Sequence, residues 1–377
     1  MALLLLVLAV IFMALFLHPY MVYPLSLRRF RPVPLHVAPS HALPGASLLF
    51  CAYNEERSLP AKLANLREVK SRYPWIEILA YSDCSSDATL ALLLAEPDLL
   101  RVVPSHERTG KATGMRRMAA EAKGEILIFT DANVLLDPAS VEPLLRYFSD
   151  PAVGGVAGSL HYVNEEASTT AKVGGVYWRL EEALKQRESR VGSIMGADGS
   201  IFATRRALYP EVPPHLLDDM TVSMSVIFAG QRLIHATDVI AYEKNATRSS
   251  DEFRRKRRIA CRAFNTHRYL WPSIRRHFGA ADLYKYISHK LLRWLGLIPL
   301  LLAGGCAVAG LALAGLPWLA FALVAAAGAV LGLGRAGAPL LGGLYEIFLS
   351  IVATFMGVMD SLAGKTYQTW SPAKSRD

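Results

Sequence analysis

Four short stretches of this 377-residue chain place acids and cations where a reaction could use them: Tyr81-Ser82-Asp83-Cys84-Ser85-Ser86-Asp87, Thr130-Asp131-Ala132-Asn133, Leu217-Asp218-Asp219-Met220, and the basic run Arg254 to Arg262. Asp131 and Asn133 are oxygen donors one residue apart at the tip of an apolar run, Glu125 to Thr130. Both can face a hard divalent cation, Mg2+ or Mn2+, while diphosphate oxygens complete its shell. A plain strand ending in an Asp/Asn turn reads the same way from that segment alone. Asp218 and Asp219 stand just before a helical pattern containing Met220, Val222, Val226 and Ile227. They suit helix capping. A carboxylate held beside another acid and partly dry also has a raised proton affinity, which suits a general base.

Other segments carry weaker signals. Arg108-Thr109-Gly110-Lys111-Ala112-Thr113-Gly114 resembles a phosphate-cradling loop but lacks the full GxxxxGK[ST] spacing, so an ATPase is disfavoured and Lys111 reads as a nucleotide contact. Gly196-Ala197-Asp198-Gly199-Ser200 precedes the apolar Ile201-Phe202-Ala203 and serves equally as a pocket wall or a turn. Residues 167–190 read as one amphipathic helix with Val173, Val176, Tyr177, Leu180 and Leu184 packed on one face, and with Glu181 and Glu182 spaced to pair with Lys185. Trp178 lies off that face and could meet a sugar.

These residues need a frame. The run Ala46 to Ala52 ends at Tyr53-Asn54-Glu55-Glu56, and Leu59, Leu63 and Leu66 follow with helical spacing. Ile76 to Tyr81 ends at Ser82-Asp83, and helical residues run from Ala88 to Ala95. Strand–helix alternation with polar residues at each strand's carboxyl end predicts a mostly parallel α/β sheet, whose ligands bind beyond those ends.

Both ends of the chain are apolar. The hydrophobic content of 52% is high for a soluble protein, and Met1 to Leu17 carry no charge. Without a basic n-region or a clear cleavage site, this start reads as a retained transmembrane helix over 1–24 rather than a signal peptide. Arg28, Arg29 and Arg31 follow it and place the next domain in the cytoplasm by the positive-inside rule. After a proline-rich linker, 25–45, a soluble domain spans 46–270 and a juxtamembrane segment 271–290. A second membrane region, 291–362, is punctuated by Gly315-Leu316-Pro317 and Gly334-Arg335-Ala336-Gly337 into two or three spans near the ~20 residues a bilayer needs. Glu346 and Asp360 make the last of these re-entrant or interfacial as readily as spanning. Lys365, Lys374 and Arg376 in the tail, 363–377, prefer the inside. The net charge of +9 sits mainly beside the membrane segments and in the 254–262 run, which fits anionic lipid headgroups better than nucleic acid. The four scattered cysteines lack metal-ligand spacing and read as reduced thiols.

In this order and at these intervals, the motifs from 46 to 270 resemble family 2 glycosyltransferases of the GT-A fold, in the membrane-embedded branch with cellulose, chitin and hyaluronan synthases. The resemblance implies a transferase that moves sugar from a nucleotide-diphosphate donor, UDP-linked by preference, to a glycan or lipid-linked acceptor, with inversion, at the cytoplasmic face of a bacterial inner or plasma membrane. It implies that Tyr53 and Glu55 meet the base, that Asp83 grips the nucleoside, and that Lys111 stands near uridine and diphosphate. Asp131-Ala132-Asn133 is similar to the DxD metal motif, with Asn133 removing one charge. Gly196, Asp198, Asp218 and Trp178 fall on the acceptor side, and Asp219 takes the place of the base in the Thr-Glu-Asp motif. Arg258 keeps the arginine of Gln-x-x-Arg-Trp, which can grip diphosphate in bidentate fashion. Arg255 and Ile259 replace the glutamine and the tryptophan, and the lost tryptophan leaves processive synthesis and single-sugar transfer both open. A degenerate nucleotide-binding subunit and a membrane scaffold are the readings from other classes.

Overall fold

The computed structural model describes residues 1–38 and 42–369, so part of the linker and the tail residues Lys374 and Arg376 lie outside it. Eight strands form one mixed sheet in the order β3-β2-β1-β4-β7-β6-β8-β5. They are β1 (Ala46–Ala52), β2 (Glu77–Asp83), β3 (Arg101–Ser105), β4 (Ile126–Asp131), β5 (Leu135–Leu136), β6 (Val153–Tyr162), β7 (Ile201–Arg205) and β8 (Arg232–Glu243). β1 lies between β2 and β4 and is parallel to both, and β3 extends this half in parallel. β7 runs antiparallel to β4 and β6, while β6 and β8 pair in parallel.

Strands β1, β2 and β4 are buried on both faces, which is why they read as nearly continuous apolar runs. Along β1, Leu48 and Phe50 pack with Leu59, Leu63 and Leu66 of α1 (Leu59–Arg72). Leu49 and Cys51 pack on the other face with Met115 and Met118 of α2 (Lys111–Glu121). Cys51 pairs in register with Asp131 and Ala52 with Ser82, so the chain leaves β1, β2 and β4 along one rim of the sheet.

Three further helices complete the site's frame: α3 (Thr169–Arg190), α4 (Asp218–Phe228) and α5 (Ser249–His277). Of the apolar face expected of α3, Leu184 packs with Tyr23 and Leu27, but most of the stripe does not form the packed face. Val176, Tyr177 and Leu180 are 45%, 42% and 65% exposed, while Glu181, Lys185 and Glu188 are buried. Those charges go inward because each finds a partner, as buried charges must. Glu181 pairs with His289 at 2.8 Å and with Arg293, rather than with Lys185. Glu188 meets His289 at 2.7 Å and accepts from the Tyr23 hydroxyl.

Among the described residues, three helical stretches are long and apolar enough to cross a membrane: Ala2–Arg29, Pro317–Arg335 and Leu341–Leu362. Leu297–Leu313 follows Ala280–Trp294 through a bend of 67°, and together these make a fourth if counted as one broken span. The breaks on either side of Pro317–Arg335 fall at the glycine and proline positions that the sequence marks, whereas the bend at Leu295-Gly296 is not marked. The last helix, hereafter α6 (Leu341–Leu362), is continuous and packs along α5. Asp360 on it is buried, bound by Arg257 at 2.6 Å and by Lys365 at 2.8 Å.

Candidate active site

A cavity of about 1440 Å³ opens at the carboxyl rim of the sheet. At one end Asp83, fully buried at the tip of β2, accepts from the Thr109 amide at 2.7 Å, the Gly110 amide at 3.1 Å and Arg108 Nε at 3.2 Å. It thereby fixes the loop that delivers Lys111 to the start of α2. Gly110 holds φ +86°, a conformation that favours glycine. Arg108 covers the Tyr53 ring at 3.1 Å from its centroid. Asp83 and Tyr53 therefore sit behind the wall, while Arg108, Glu55 and Lys111 line it.

Lys111 is the hub. Its Nζ lies 2.6 Å from Asp131 Oδ1 and 3.9 Å from Asp218 Oδ2. Burial alone would lower its pKa, but Asp131, Asp218 and Asp219 outweigh that and raise it, so it stays charged. A Cβ built on Gly199 would stand 2.7 Å from Lys111 Nζ, 3.5 Å from Asp219 Oδ2 and 3.9 Å from Asp131 Oδ2. The loop between α3 and β7 thus passes directly over the point where these three charges converge, and a side chain at 199 would push the Lys111 ammonium aside.

Asp218 and Asp219 are the first two residues of α4, after Leu217 as N-cap, so they are not the caps the sequence suggests. They sit in its first turn, where a carboxylate meets the positive end of the helix. Asp218 is buried, and its Oδ2 has no hydrogen-bond partner among the described residues. Asp219 faces the cavity and accepts from the Met220 amide at 2.6 Å. Its pKa is pushed up to about 7, first by burial and then by the charge of Asp218. Such a carboxyl is tuned for proton transfer near neutral pH.

Two side chains without a sequence signal hold the β4–β5 turn that carries Asp131 and Asn133. Lys62 Nζ, buried in α1, donates to the Val134 carbonyl at 2.6 Å. Asn65 bonds both backbone groups of Leu136. Asn133 Nδ2 donates to Glu243 Oε1 at 3.0 Å. These donors suit Mg2+ or Mn2+ in kind: one Asp131 oxygen engages Lys111, and the other carboxylate oxygen and the Asn133 amide oxygen are hard ligands. Among the described residues there is no cluster of three or more His, Cys, Asp or Glu able to hold a metal alone, so substrate oxygens would have to complete the shell.

The far side of the cavity gathers the remaining candidates. Asp198 pairs with Lys185 at 2.8 Å, and this cation lowers the acid's pKa against the effect of burial. Trp178 packs its ring beneath Lys185 Nζ at 4.7 Å, with its buried Nε1 unpartnered among the described residues. Gly196 and Arg258 also line the space. Arg262, overlooked in the basic run, is buried and donates to the Leu216 carbonyl ahead of α4. The segment after α6 contributes Tyr367 and Thr369 to the lining, and Gln368 Nε2 reaches the Thr109 carbonyl at 3.1 Å. Apolar helix separates these residues in sequence from every motif, so nothing local pointed to them.

Residues 47–212 match the family described as Glycosyl transferase family 2. Polypeptide N-acetylgalactosaminyltransferase 15 of Mus musculus is 28% identical over 126 residues, 32% of this chain and 19% of that relative. The chain thus spans about a fifth of that relative's length. Among solved structures, a mannosyltransferase of Pyrobaculum calidifontis, PcManGT, in complex with GDP-Man and Mn2+, superposes with a TM-score of 0.73 over 96% of this chain and 99% of its own, at 22% identity. GalNAc-T7 with UDP, GalNAc and Mn2+ matches 55% of this chain and 45% of its own at 16% identity, with a TM-score of 0.43 too low to add weight. The chain has the GT-A fold, a mixed α/β sheet with apolar helices at both ends.

Proposed function

We propose that this protein is a glycosyltransferase that moves a hexosyl unit from a nucleoside-diphosphate donor to a hydroxyl of a glycan or lipid-linked acceptor, in one inverting displacement at the cytoplasmic face of a membrane. The observation that carries the reading is the meeting of Lys111, Asp131 and Asp219 under Gly199, with the Asp219 pKa at about 7. Asp219 Oδ2 takes the proton of the acceptor hydroxyl. The hydroxyl oxygen bonds the anomeric carbon as the bond from that carbon to the donor diphosphate breaks, and the nucleoside diphosphate leaves with the bonding pair. Lys111 and Arg258 face the same cavity and offset the charge that grows on the leaving group. Asp131 and Asn133 would hold a divalent ion, which when bound supplies further positive charge to the diphosphate. Glu55 and Arg108 line the end where the nucleoside would lie, with Tyr53 and Asp83 behind them as supports.

GDP-Man, bound by the P. calidifontis neighbour, makes a guanosine donor a choice beside the uridine donor that the motifs imply. The basic residues Arg28, Arg29 and Arg31 after the first apolar helix support a cytoplasmic catalytic domain. The test is Asp219→Asn. Release of UDP or GDP from a panel of nucleotide sugars should fall about 10²–10⁴-fold, the usual contribution of a general base, while calorimetric donor binding persists. Near-normal turnover would remove Asp219 from the role, and a product with the donor's anomeric configuration would exclude a single inversion.

A further inference from the structure

Asn133 stands where the DxD motif has its second acid, and its surroundings supply a reason. It lies in the turn after β4, and β5 beyond that turn pairs antiparallel with the end of β8, Leu135 opposite Tyr242 and Leu136 opposite Ala241. Glu243 is the last residue of β8, so this pairing brings it to the turn from far away in sequence. Glu243 is buried, and its carbonyl accepts from the Val163 amide at 3.0 Å, which fixes its backbone. Its Oε1 accepts from Asn133 Nδ2 at 3.0 Å. A carboxylate has no proton to donate, so only the nitrogen arm of the Asn133 amide can face it. The oxygen arm then points elsewhere, and it meets no hydrogen-bond donor among the described residues. Asp131 Oδ2 is likewise without one, since Lys111 bonds Oδ1. Asp131, Asn133 and Glu243 all line the cavity. An aspartate at 133 would set a carboxylate oxygen where Nδ2 now stands, 3.0 Å from Glu243 Oε1.

We infer that Glu243 is a positioning residue for the divalent cation: it aims the Asn133 oxygen at the ion, and it makes asparagine rather than aspartate the residue that this site needs at 133. Among the described residues no three acids converge to hold a metal, so Glu243 acts through Asn133 and not as a ligand. Removing a partner that orients a ligand typically changes metal affinity about 10–100-fold. Charge counting alone gives the opposite sign for one substitution. By that count Asn133→Asp binds Mg2+ or Mn2+ more tightly, because an acid replaces an amide. With Glu243 in place the new acid instead faces a like charge, and binding weakens. Glutamine at 243 would offer an N–H to the new carboxylate and restore the hydrogen bond with its direction reversed. The inference rests on the transferase reading, which gives the ion to Asp131 and Asn133, and extends it to a residue outside the motif.

The test titrates Mn2+ into the full-length protein in detergent, with GDP or UDP in excess, and reads the bound ion by electron paramagnetic resonance, which needs no turnover. Asn133→Asp should weaken Mn2+ binding at least about tenfold, and Asn133→Asp combined with Glu243→Gln should recover wild-type affinity to within about threefold. Glu243→Met, which has no carboxylate, should weaken binding about 10–100-fold, and Glu243→Gln alone, which keeps an acceptor oxygen, should lose less. Tighter binding by Asn133→Asp, no recovery in the double variant, or a wild-type protein that binds no Mn2+ overturns the inference. Thermal melts show which variants fold. If Glu243→Met does not, the single and double Asn133 variants decide; if Asn133→Asp does not, Glu243→Met against Glu243→Gln decides. Failure of the transferase reading would appear separately, as no UDP or GDP release from a panel of nucleotide sugars while Mn2+ affinity still follows the Asn133–Glu243 pair.

Discussion

At the scale of single residues, the site is a balance of four charges, and two predictions follow from their neighbours. Asp219 must be ionised to accept a proton, so kcat/KM should rise with pH through an apparent pKa near 7. Burial is the larger cause of that value and the Asp218 carboxylate the second. Asp218→Asn should therefore move the limb to lower pH, and a limb that stays put in the pH–rate profile would show that the neighbouring charge is not felt. Lys62 makes a different case. Burial lowers its pKa to about 7, so between there and the ordinary lysine range the unfolded chain holds a proton that the folded one does not. Its contribution makes stability rise with pH across that window. Lys62→Met should flatten the rise in thermal melts from pH 7 to 10, and should also weaken donor binding by loosening the turn that bears Asp131. The Asp131 tip was legible because it follows an apolar run directly, and the Asp218-Asp219 doublet because it stands just before a helical pattern. Lys62 was not, since a lysine in a helix is ordinarily solvated and only the fold reveals what lies above it.

At the scale of elements, the parallel strands and the helices after them stood out because burial on both faces writes continuous apolar runs and regular leucine spacing. Helix α3 misled for a physical reason. Its apolar stripe satisfies the periodicity of a packed face, yet the buried side is the charged one, because partners for Glu181 and Glu188 come from residues 23 and 286–294, far away in sequence. Spacing records polarity, not what distant segments bring. The α5–α6 contact was equally hidden. Gly357 lies against the Arg257 carbonyl, with Ala260 Cβ 2.7 Å and the Cys261 amide 2.8 Å from where a Cβ would sit. Gly357→Leu must push α6 away from α5, break the Asp360–Arg257 pair and shift the segment that carries Tyr367 and Gln368. Breaking a partly buried ion pair and overpacking a helix contact each cost about 1–3 kcal/mol or more. The variant should melt earlier and bind donor more weakly, whereas Gly357→Ala should show a smaller effect of the same sign.

At the scale of the whole molecule, one cavity joins the nucleotide end of the sheet to the apolar helices, and the exposed side of α3 lies beside its membrane end. Val176, Tyr177 and Leu180 would be costly in water, at about 25 cal/mol for each Å² of apolar surface left exposed. The same surface lies against Tyr20 and Arg293, where Arg293 stands 5.3 Å from the Tyr20 ring and 6.0 Å from that of Tyr177. Such a belt of aromatic and basic groups suits the interface of a bilayer. The expected arrangement has α3 lying on the lipid surface, so that an acceptor enters the cavity sideways from the membrane while the donor comes from water. A fluorophore attached at Leu180→Cys in proteoliposomes should be quenched by brominated lipid and shielded from iodide. One attached at Arg57→Cys, which lines the donor end, should show the reverse. Iodide quenching at both positions would place α3 in water and remove the sideways route from the membrane.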